Sequence, residues 1–302
     1  MAEVTIVEVG LRDGLQNEET ILSTTVKQQL AQMLIDAGVK EIEATSFVHP
    51  RWIPQLADAA QLTEGLPRHE GVCYRVLVPN RKGLERAAAT GVDEYAVFLS
   101  ASETHNQKNI NKSIAETYPI LAETVDLAVA KGKRVRGYVS TAFGCPYEGD
   151  VSLAKVIEVC EKLLKMGVYE ISLGDTIGVA TPNQVREMLK ALTKEIPVTK
   201  VAGHFHDTRG TALVNAYVAL EEGVRTLDTS FGGLGGCPYA PGAAGNMATE
   251  DLVYMLEGMG VKTGINLAKL CEVSRYAEEQ LGKPLPSKVL QSEGLCEEEV
   301  EQ

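Results

Sequence analysis

A glycine-valine pair recurs in this sequence wherever a helical pattern gives way to a strand pattern. The four copies are Gly38-Val39, Gly91-Val92, Gly167-Val168 and Gly223-Val224. Glycine often ends a helix because it adopts the left-handed backbone conformation without steric penalty. Valine suits the buried strand that follows. Four copies of one junction therefore indicate a single helix-strand unit that is repeated along the chain.

Eight short segments rich in apolar residues alternate with longer segments in which apolar residues recur every three or four positions. Most of the short segments are apolar on both faces, which is typical of parallel strands covered by helices. The predicted strands are Val4–Val9, Glu41–Thr45, Val72–Val78, Glu94–Leu99, Arg134–Ser140, Glu170–Leu173, Val201–His206 and Thr226–Ser230. The predicted helices are Thr24–Ala37, 54–64, 81–90, 113–131, 151–166, 182–195, 210–222 and 248–258, followed by Leu267–Gln280.

The number of units predicts an α/β fold, a (β/α)8 TIM barrel with a C-terminal helical extension. Eight strand-helix units over about 260 residues match that fold, although 302 residues would also accommodate two domains. We therefore predict a catalytic barrel at residues 1–260, with a helical extension and an acidic tail at 261–302. A doubly wound open sheet is the alternative, but residues 9–14 lack the G-x-G-x-x-G spacing expected after its first strand.

Composition excludes some partners and indicates a compartment. The chain carries 41 acidic and 29 basic residues, a net charge of -12, so neither nucleic acid nor an anionic membrane is an expected partner. No apolar run reaches the ~18 residues of a membrane helix, and the N-terminus lacks the pattern of a signal peptide. Six cysteines occur without a C-x-x-C motif. We expect mostly free thiols in a cytoplasmic protein.

Polar side chains concentrate where a TIM barrel places its chemistry, at the C-terminal ends of the strands. His204 and His206 are two residues apart at the end of the seventh strand, so both imidazoles point to the same face. With the carboxylate of Asp13 and an asparagine carbonyl they form a mixed nitrogen and oxygen set that suits Mg²⁺ or Mn²⁺. The alternative is a pair of histidines that are only hydrogen-bonded at a strand end.

Three further charged residues follow or interrupt predicted strands. Arg12 can direct its guanidinium at a carbonyl or enolate oxygen, or can form a surface salt bridge with Asp13. Glu43 lies on an otherwise apolar strand and Asp175 ends the sixth strand. Burying an unpaired carboxylate is costly, so we expect each of these two acids to be paired or functional.

A glycine-rich segment follows the eighth predicted strand. Six glycines lie between positions 232 and 245, with Cys237 among them. Such a segment is typical of a mobile lid, and a thiol on it can act as an acid or a base when the lid closes. A linker to the next helix is the alternative.

These motifs together resemble the 3-hydroxy-3-methylglutaryl-CoA (HMG-CoA) lyase family of metal-dependent TIM-barrel enzymes. The resemblance covers residues 4–285. Its most specific part is the run Gly236-Cys237-Pro238-Tyr239, whereas the Arg-Asp and His-x-His elements also occur in related synthases. The segments that carry it are 10–18, 43–48, 174–178, 204–207 and 232–239.

The resemblance implies cleavage of HMG-CoA to acetyl-CoA and acetoacetate with a divalent cation, Mg²⁺ or Mn²⁺. It implies that Arg12 stabilises the enolate, that Cys237 takes part in proton transfer, and that Glu43 and Asp175 are supporting acids. We also expect a homodimer. The implied metal ligands are Asp13, His204, His206 and Asn246. The expected substrate contacts are Arg12, Gln16, Ser46, Tyr138 and Thr176, together with Asn109 and Lys112 in a loop after the fourth strand.

Three other functions fit the same sequence less well. A synthase of this superfamily would condense acetyl-CoA with a 2-oxo acid, but the roughly 40 residues after the barrel are short for its usual extra domain. A lyase or aldolase for a related hydroxyacyl-CoA or 2-oxo acid is the second alternative. A non-catalytic scaffold is the third, and it would have no use for Arg12, Asp13, both histidines and Cys237.

Overall fold

The computed structural model describes residues 3–236 and 245–292, and its centre is a closed barrel of eight parallel strands. Each strand pairs with the next along the chain, and the last pairs with the first. The strands are β1 Thr5–Glu8, β2 Glu41–Ser46, β3 Cys73–Leu77, β4 Glu94–Ser100, β5 Arg134–Ser140, β6 Glu170–Asp175, β7 Val201–Phe205 and β8 Thr226–Thr229.

Helices surround the barrel and cover the outer faces of the strands with a continuous apolar core. The helices are α1 Thr24–Asp36, α2 Ala59–Glu64, α3 Arg81–Ala88, α4 Glu103–Ile110, α5 Ile114–Ala130, α6 Leu153–Lys165, α7 Pro182–Leu192, α8 Ala212–Glu221, α9 Thr249–Gly258 and α10 Leu267–Leu281. Among the helices of the described residues, none combines the length and the apolar character needed to cross a membrane.

The predicted TIM barrel is confirmed, and all eight predicted strands are present with ends that differ by at most two residues. The expected loop after the fourth strand is wrong, because residues Glu103–Ile110 form a helix there. Ser102 begins this helix by accepting a hydrogen bond from the backbone N–H of His105, and Asn111 ends it in the left-handed conformation. The segment is polar and short, so its apolar periodicity is too weak to reveal a helix.

The glycine-valine junctions have the backbone conformation that the sequence predicts. The φ angles are +100° at Gly38, +74° at Gly91, +101° at Gly167 and +98° at Gly223. Only glycine adopts such angles without strain, so each of these glycines allows the chain to leave its helix and enter the next strand. The boundary at residue 260 between barrel and extension stays a prediction, although α10 packs directly against α1.

The inner face of the barrel is charged, and the expectation of strands that are apolar on both faces is wrong for β3 to β6. Register neighbours on this face are Arg75 and Glu94, Glu94 and Arg134, and Arg136 and Glu170. Arg75 lies 2.6 Å from Glu94, and Arg136 lies 2.7 Å from Glu170. Opposite charges on adjacent strands lie side by side inside the barrel and form ion pairs. This pairing offsets the free-energy cost of burying them.

Two of the junction glycines differ in their surroundings, which gives a matched pair of variants. A Cβ atom on Gly38 would lie 2.4 Å from the carbonyl oxygen of Gly264, whereas the nearest atom at Gly91 is a guanidinium nitrogen of Arg68 at 3.9 Å. We expect Gly91→Ala to cost about 1–2 kcal/mol through its backbone angle alone. Gly38→Ala adds about 1–3 kcal/mol of steric overlap. Urea unfolding followed by circular dichroism checks this, and equal losses in the two variants would contradict it.

Candidate active site

A π-helical turn directly after β1 presents the first two charged residues of the site. The backbone N–H groups of Arg12, Asp13 and Gly14 all donate to the carbonyl oxygen of Val9, at 3.0, 2.7 and 3.2 Å. This arrangement widens the turn formed by Gly10–Gly14 and buries both charged side chains at the barrel mouth. Such turns are frequent at functional sites because they re-aim side chains.

Asp13, His204 and His206 bring three potential ligand atoms within 4.8 Å of one another. The Nε2 atoms of the two imidazoles are 3.2 Å apart and lie 3.8 and 3.7 Å from Oδ2 of Asp13. All three residues are buried. One carboxylate and two imidazoles that converge in this way suit a divalent cation, since they supply negative charge and neutral nitrogen donors to one point.

Asn246, which directly follows the last glycine of the glycine-rich segment, contacts the same group. It forms an isolated backbone bridge with His206, and its amide nitrogen donates to Oδ2 of Asp13 at 3.0 Å and to the carbonyl oxygen of Leu234 at 3.2 Å. The structure therefore brings Asn246 to the group through its nitrogen. Ligation through its oxygen stays a prediction.

Arg12 is held by carboxylates on two sides. Its Nη1 donates to Oδ1 of Asp13 and its Nε donates to Glu43, which also accepts a hydrogen bond from the hydroxyl of Tyr138. The guanidinium carbon lies 5.4 Å from the centre of the Tyr138 ring. Glu43 is thus paired, as the sequence required, and it fixes the guanidinium in one orientation over the cavity.

Charge neighbours determine the protonation of these groups. Burial by itself raises the pKa of Asp13, but the charge of Arg12 and the two imidazoles hold that pKa well below its usual range. Burial, with the charges of Glu43 and Asp228, raises the pKa of Tyr138 well above its usual range. Asp13 is therefore a carboxylate and Tyr138 a neutral donor at physiological pH.

A cavity of about 270 Å³ opens above this group at the C-terminal ends of the strands. Its polar lining includes Arg12, Asp13 and both histidines. Its apolar lining includes Val48, Ile53, Leu77 and Phe98. A molecule with an anionic or carbonyl end and an apolar remainder fits a cavity with this division.

The structure brings most of the predicted substrate-binding residues to this cavity. Gln16, Tyr138, Thr176 and Asn109 line it, the last from helix α4 rather than from a loop. Ser46 is buried at the end of β2, and its hydroxyl accepts a hydrogen bond from the backbone of Val48, a lining residue.

Lys112 and Asp175 are outside the cavity lining, as are Ser46, Glu43 and Asn246. Lys112 is exposed beyond the end of helix α4. Asp175 is 1% exposed, and its two carboxylate oxygens accept hydrogen bonds from the backbone N–H groups of Val179 and Ala180, each at 2.9 Å. Both oxygens have backbone donors, so this geometry gives Asp175 a role in shaping the turn that carries Thr176. Cys237 lies outside the described residues.

The sequence analysis missed Arg136 and Asp228, which lie beneath the site inside the barrel. Nη2 of Arg136 is 2.8 Å from Oδ1 of Asp228, and Oδ2 of Asp228 is 3.3 Å from Nδ1 of His204. Nη1 of Arg136 donates to the hydroxyl of Tyr138 at 3.0 Å. The argument that identified Glu43, a charge on an otherwise buried strand, applies equally to both residues and would have found them.

Two buried carboxylates hold the start of the glycine-rich segment. Glu8 accepts a hydrogen bond from the backbone N–H of Phe231 at 3.0 Å, and Glu250 accepts from that of Gly232 at 2.8 Å. Burial raises the pKa of Glu8 to about 7. Burial, with a contribution from the Glu8 charge, raises the pKa of Glu250 to about 8. The hydroxyl of Thr249 donates a hydrogen bond to Glu8, and that of Ser274 donates to Glu250. The sequence analysis missed this pair of buried acids as well.

The fold and the site together define a TIM-barrel protein with a potential metal-binding group and a paired arginine at its catalytic mouth. A model of the HMGL-like family matches residues 3–276, and the chain belongs to this family. The mitochondrial hydroxymethylglutaryl-CoA lyase of Bos taurus is 54% identical over 290 residues, which cover 96% of this chain and 89% of that protein.

Two solved structures show the same likeness in three dimensions. A Bacillus subtilis HMG-CoA lyase matches with a TM-score of 0.95 and 53% identity, covering 96% of this chain and 97% of that one. An HMG-CoA lyase from Acinetobacter baumannii in complex with coenzyme A and 3-methylmalate matches with a TM-score of 0.91 and 41% identity, covering 96% and 94%.

The raised pKa of Glu250 predicts a dependence of stability on pH. Its value in the folded protein, about 8, lies above the ordinary value of 4.5, so the folded state binds more protons between these values. The stabilisation is therefore present in full below about pH 4.5 and is lost as the pH rises through about 8. Glu250→Gln removes this titration, and we expect the difference in unfolding free energy between wild type and variant to fall from pH 5 to pH 8.5.

Urea unfolding at several pH values measures that difference. Glu257→Gln, an exposed substitution on the same helix α9, is the matched control and should differ from wild type by a constant amount. A difference for Glu250→Gln that stays constant or grows with pH would contradict the assignment.

Proposed function

We propose that this protein is a hydroxymethylglutaryl-CoA lyase, a carbon-carbon lyase that cleaves HMG-CoA to acetyl-CoA and acetoacetate. The observation that carries the proposal is the position of Arg12 beside the Asp13, His204 and His206 group in one cavity. An arginine and a metal-binding group together supply the two positive centres that this cleavage needs. The names of the relatives, all matched over nearly the whole chain, support the same activity.

The donor set fits a resident divalent cation, Mg²⁺ or Mn²⁺. Asp13, His204 and His206 would hold it, with Asn246 as a further ligand if its amide oxygen turns inward. Such a cation, when bound, supplies Lewis acidity and fixes the substrate oxygens. The two carboxylate oxygens of Asp13 then have different roles: Oδ2 faces the imidazoles, and Oδ1 contacts Arg12.

Cleavage breaks the carbon-carbon bond next to the substrate's tertiary alkoxide and leaves the electron pair on the thioester enolate of acetyl-CoA. Arg12 carries the charge that this enolate oxygen requires, and Glu43 with Tyr138 keeps its guanidinium in place before the reaction starts. A donor that is already oriented in a buried site stabilises the transition state without reorganisation. Arg12 is therefore the residue that we assign to the bond-breaking step.

Proton transfers precede and follow that step. A histidine of the cavity takes the hydroxyl proton of the substrate first, and the enolate carbon of acetyl-CoA receives a proton last. We assign the second transfer to Cys237, which follows the buried start of the glycine-rich segment in the chain. Asp175 has a supporting role in this proposal, because its hydrogen bonds hold the turn that presents Thr176.

Coenzyme A would enter along helix α4 and the apolar lining residues. His105 and Asn109 lie one helical turn apart on α4 and line the cavity together with Ile53 and Val48. The related structure with bound coenzyme A supports a thioester of this carrier as the substrate class. Lys112 is exposed at the surface, and we assign it no contact with coenzyme A. The homodimer and the cytoplasmic location stay predictions.

The proposal is tested with the purified full-length protein. We expect HMG-CoA with Mg²⁺ or Mn²⁺ to yield equal amounts of acetyl-CoA and acetoacetate, and removal of the metal with a chelator to abolish turnover. Readdition of the metal restores the activity if the site is intact. If the metal-loaded protein released no acetyl-CoA from HMG-CoA or from any related hydroxyacyl-CoA, the proposal would be refuted.

Arg12→Gln separates the arginine from the metal group. We expect kcat to fall by about 10²–10³, the usual cost of one oriented donor in a buried site. Mn²⁺ affinity should be retained, because Arg12 does not belong to the ligand group. Steady-state kinetics and Mn²⁺ titration measure the two effects. A variant that loses both in equal measure would show that Arg12 only maintains the fold.

A further inference from the structure

Asp228 lies beneath the metal-binding group and is not part of it. The residue is on strand β8, its side chain is fully buried, and both carboxylate oxygens have neighbours. Oδ1 lies 2.8 Å from Nη2 of Arg136, whereas Oδ2 accepts a hydrogen bond from the hydroxyl of Ser172 at 2.7 Å. The same Oδ2 is 3.3 Å from Nδ1 of His204.

This position determines which nitrogen of His204 faces the cavity. A neutral imidazole carries its proton on one nitrogen and offers the other as a donor of electrons to a cation. A carboxylate next to Nδ1 favours the tautomer with the proton on Nδ1 and leaves Nε2 free. Nε2 of His204 is the atom that faces Asp13 and His206.

The two histidines of the group differ in this respect. Nδ1 of His204 lies 3.3 Å from a carboxylate oxygen of Asp228, whereas the ion pair described for His206 joins its Nε2 to Oδ2 of Asp13 at 3.7 Å. The carboxylate beside His206 is therefore on the nitrogen that faces the metal-binding group, and among the contacts of the described residues only His204 has a carboxylate at its other nitrogen. His204 is the imidazole that the barrel interior contacts on the nitrogen behind the metal-binding group.

We propose that Asp228 is a positioning residue that holds His204 with Nε2 directed at the cation, an inference that rests on the proposed metal-dependent function. Arg136 completes the arrangement, since it contacts Asp228 with one nitrogen and donates to the hydroxyl of Tyr138 with another. Tyr138 in turn donates to Glu43, the carboxylate that orients Arg12. The interior ion pair therefore connects the support of the metal ligand with the support of the arginine.

The substitution Asp228→Asn keeps the shape of the side chain and reverses its effect on the imidazole. The amide of asparagine can donate to Nδ1, which favours the tautomer with the proton on Nε2, the wrong nitrogen for metal binding. We expect Mn²⁺ affinity, measured by titration without substrate, to fall about 10–100-fold. The measurement needs no turnover, so it is independent of whether HMG-CoA is the substrate.

A spectroscopic measurement reports on the tautomer itself. The chain has only five histidines, so ¹⁵N-labelled histidine gives few signals, and His204→Ala identifies the one of interest. In the metal-free wild type we expect the proton of His204 on Nδ1. In Asp228→Asn without metal we expect it on Nε2, a change that a general loss of packing does not produce.

Glu170→Gln is the matched control. Glu170 is the other carboxylate that contacts Arg136, at 2.7 Å from its Nε. It is the register partner of Arg136 on the neighbouring strand β6. We expect this variant to lose stability in a similar way but to keep Mn²⁺ affinity within about twofold, because Glu170 is not a neighbour of either histidine in these contacts. Equal losses of affinity in both variants would overturn the proposal.

A milder variant keeps the inference testable if Asp228→Asn does not fold. Ser172→Ala removes only the hydroxyl that donates to Oδ2 of Asp228. We expect Mn²⁺ affinity to fall about twofold to tenfold, the net effect of one hydrogen bond. Folded variants with unchanged Mn²⁺ affinity and an unchanged His204 tautomer would refute the role of Asp228. A protein that binds Mn²⁺ as expected but leaves HMG-CoA intact would refute only the proposed function.

Discussion

The pairing of buried charges inside the barrel is the constraint on which the rest of the structure depends. Arg75 and Arg136 are fully buried, and each lies within 2.8 Å of at least one carboxylate oxygen on a neighbouring strand. An isolated charge at these positions would be prohibitive, and loss of one partner from a buried pair typically costs about 3–5 kcal/mol. The strand register is therefore tied to the charge pattern as well as to the apolar core, because a shift would separate every pair at once.

The same constraint explains why the site is ordered before any substrate arrives. Asp13 and Glu43 fix the guanidinium of Arg12, and Asp228 fixes the imidazole of His204 from below. These groups are oriented by the interior of a rigid barrel and not by mobile surface loops. Preorganisation of this kind is the property that makes an electrostatic site effective, since little free energy is spent on reorientation during the reaction.

Local signals in the sequence were sufficient for the fold and for the centre of the site. The glycine-valine junctions and the alternating segments predicted the barrel, and the rule that chemistry lies at the ends of its strands identified Arg12, Asp13 and both histidines. Helix α4 was missed because it is short and polar. The supporting role expected for Asp175 stays a prediction, and the contacts that the sequence did not reveal are the hydrogen bonds its carboxylate accepts from the backbone of the next turn.

The sequence by itself determined the eight-fold repeat, the family and the identity of the groups that carry charge at the mouth. These features depend on residue type and on spacing along one chain, which are local properties. Only the tertiary structure decided which charges become partners, because Asp13 is 191 positions before His204 and Asp228 reaches Arg136 across the barrel interior. Closure of the barrel brings such distant residues within a few ångströms, and the free energy of burying a charge then selects the pairings that satisfy it.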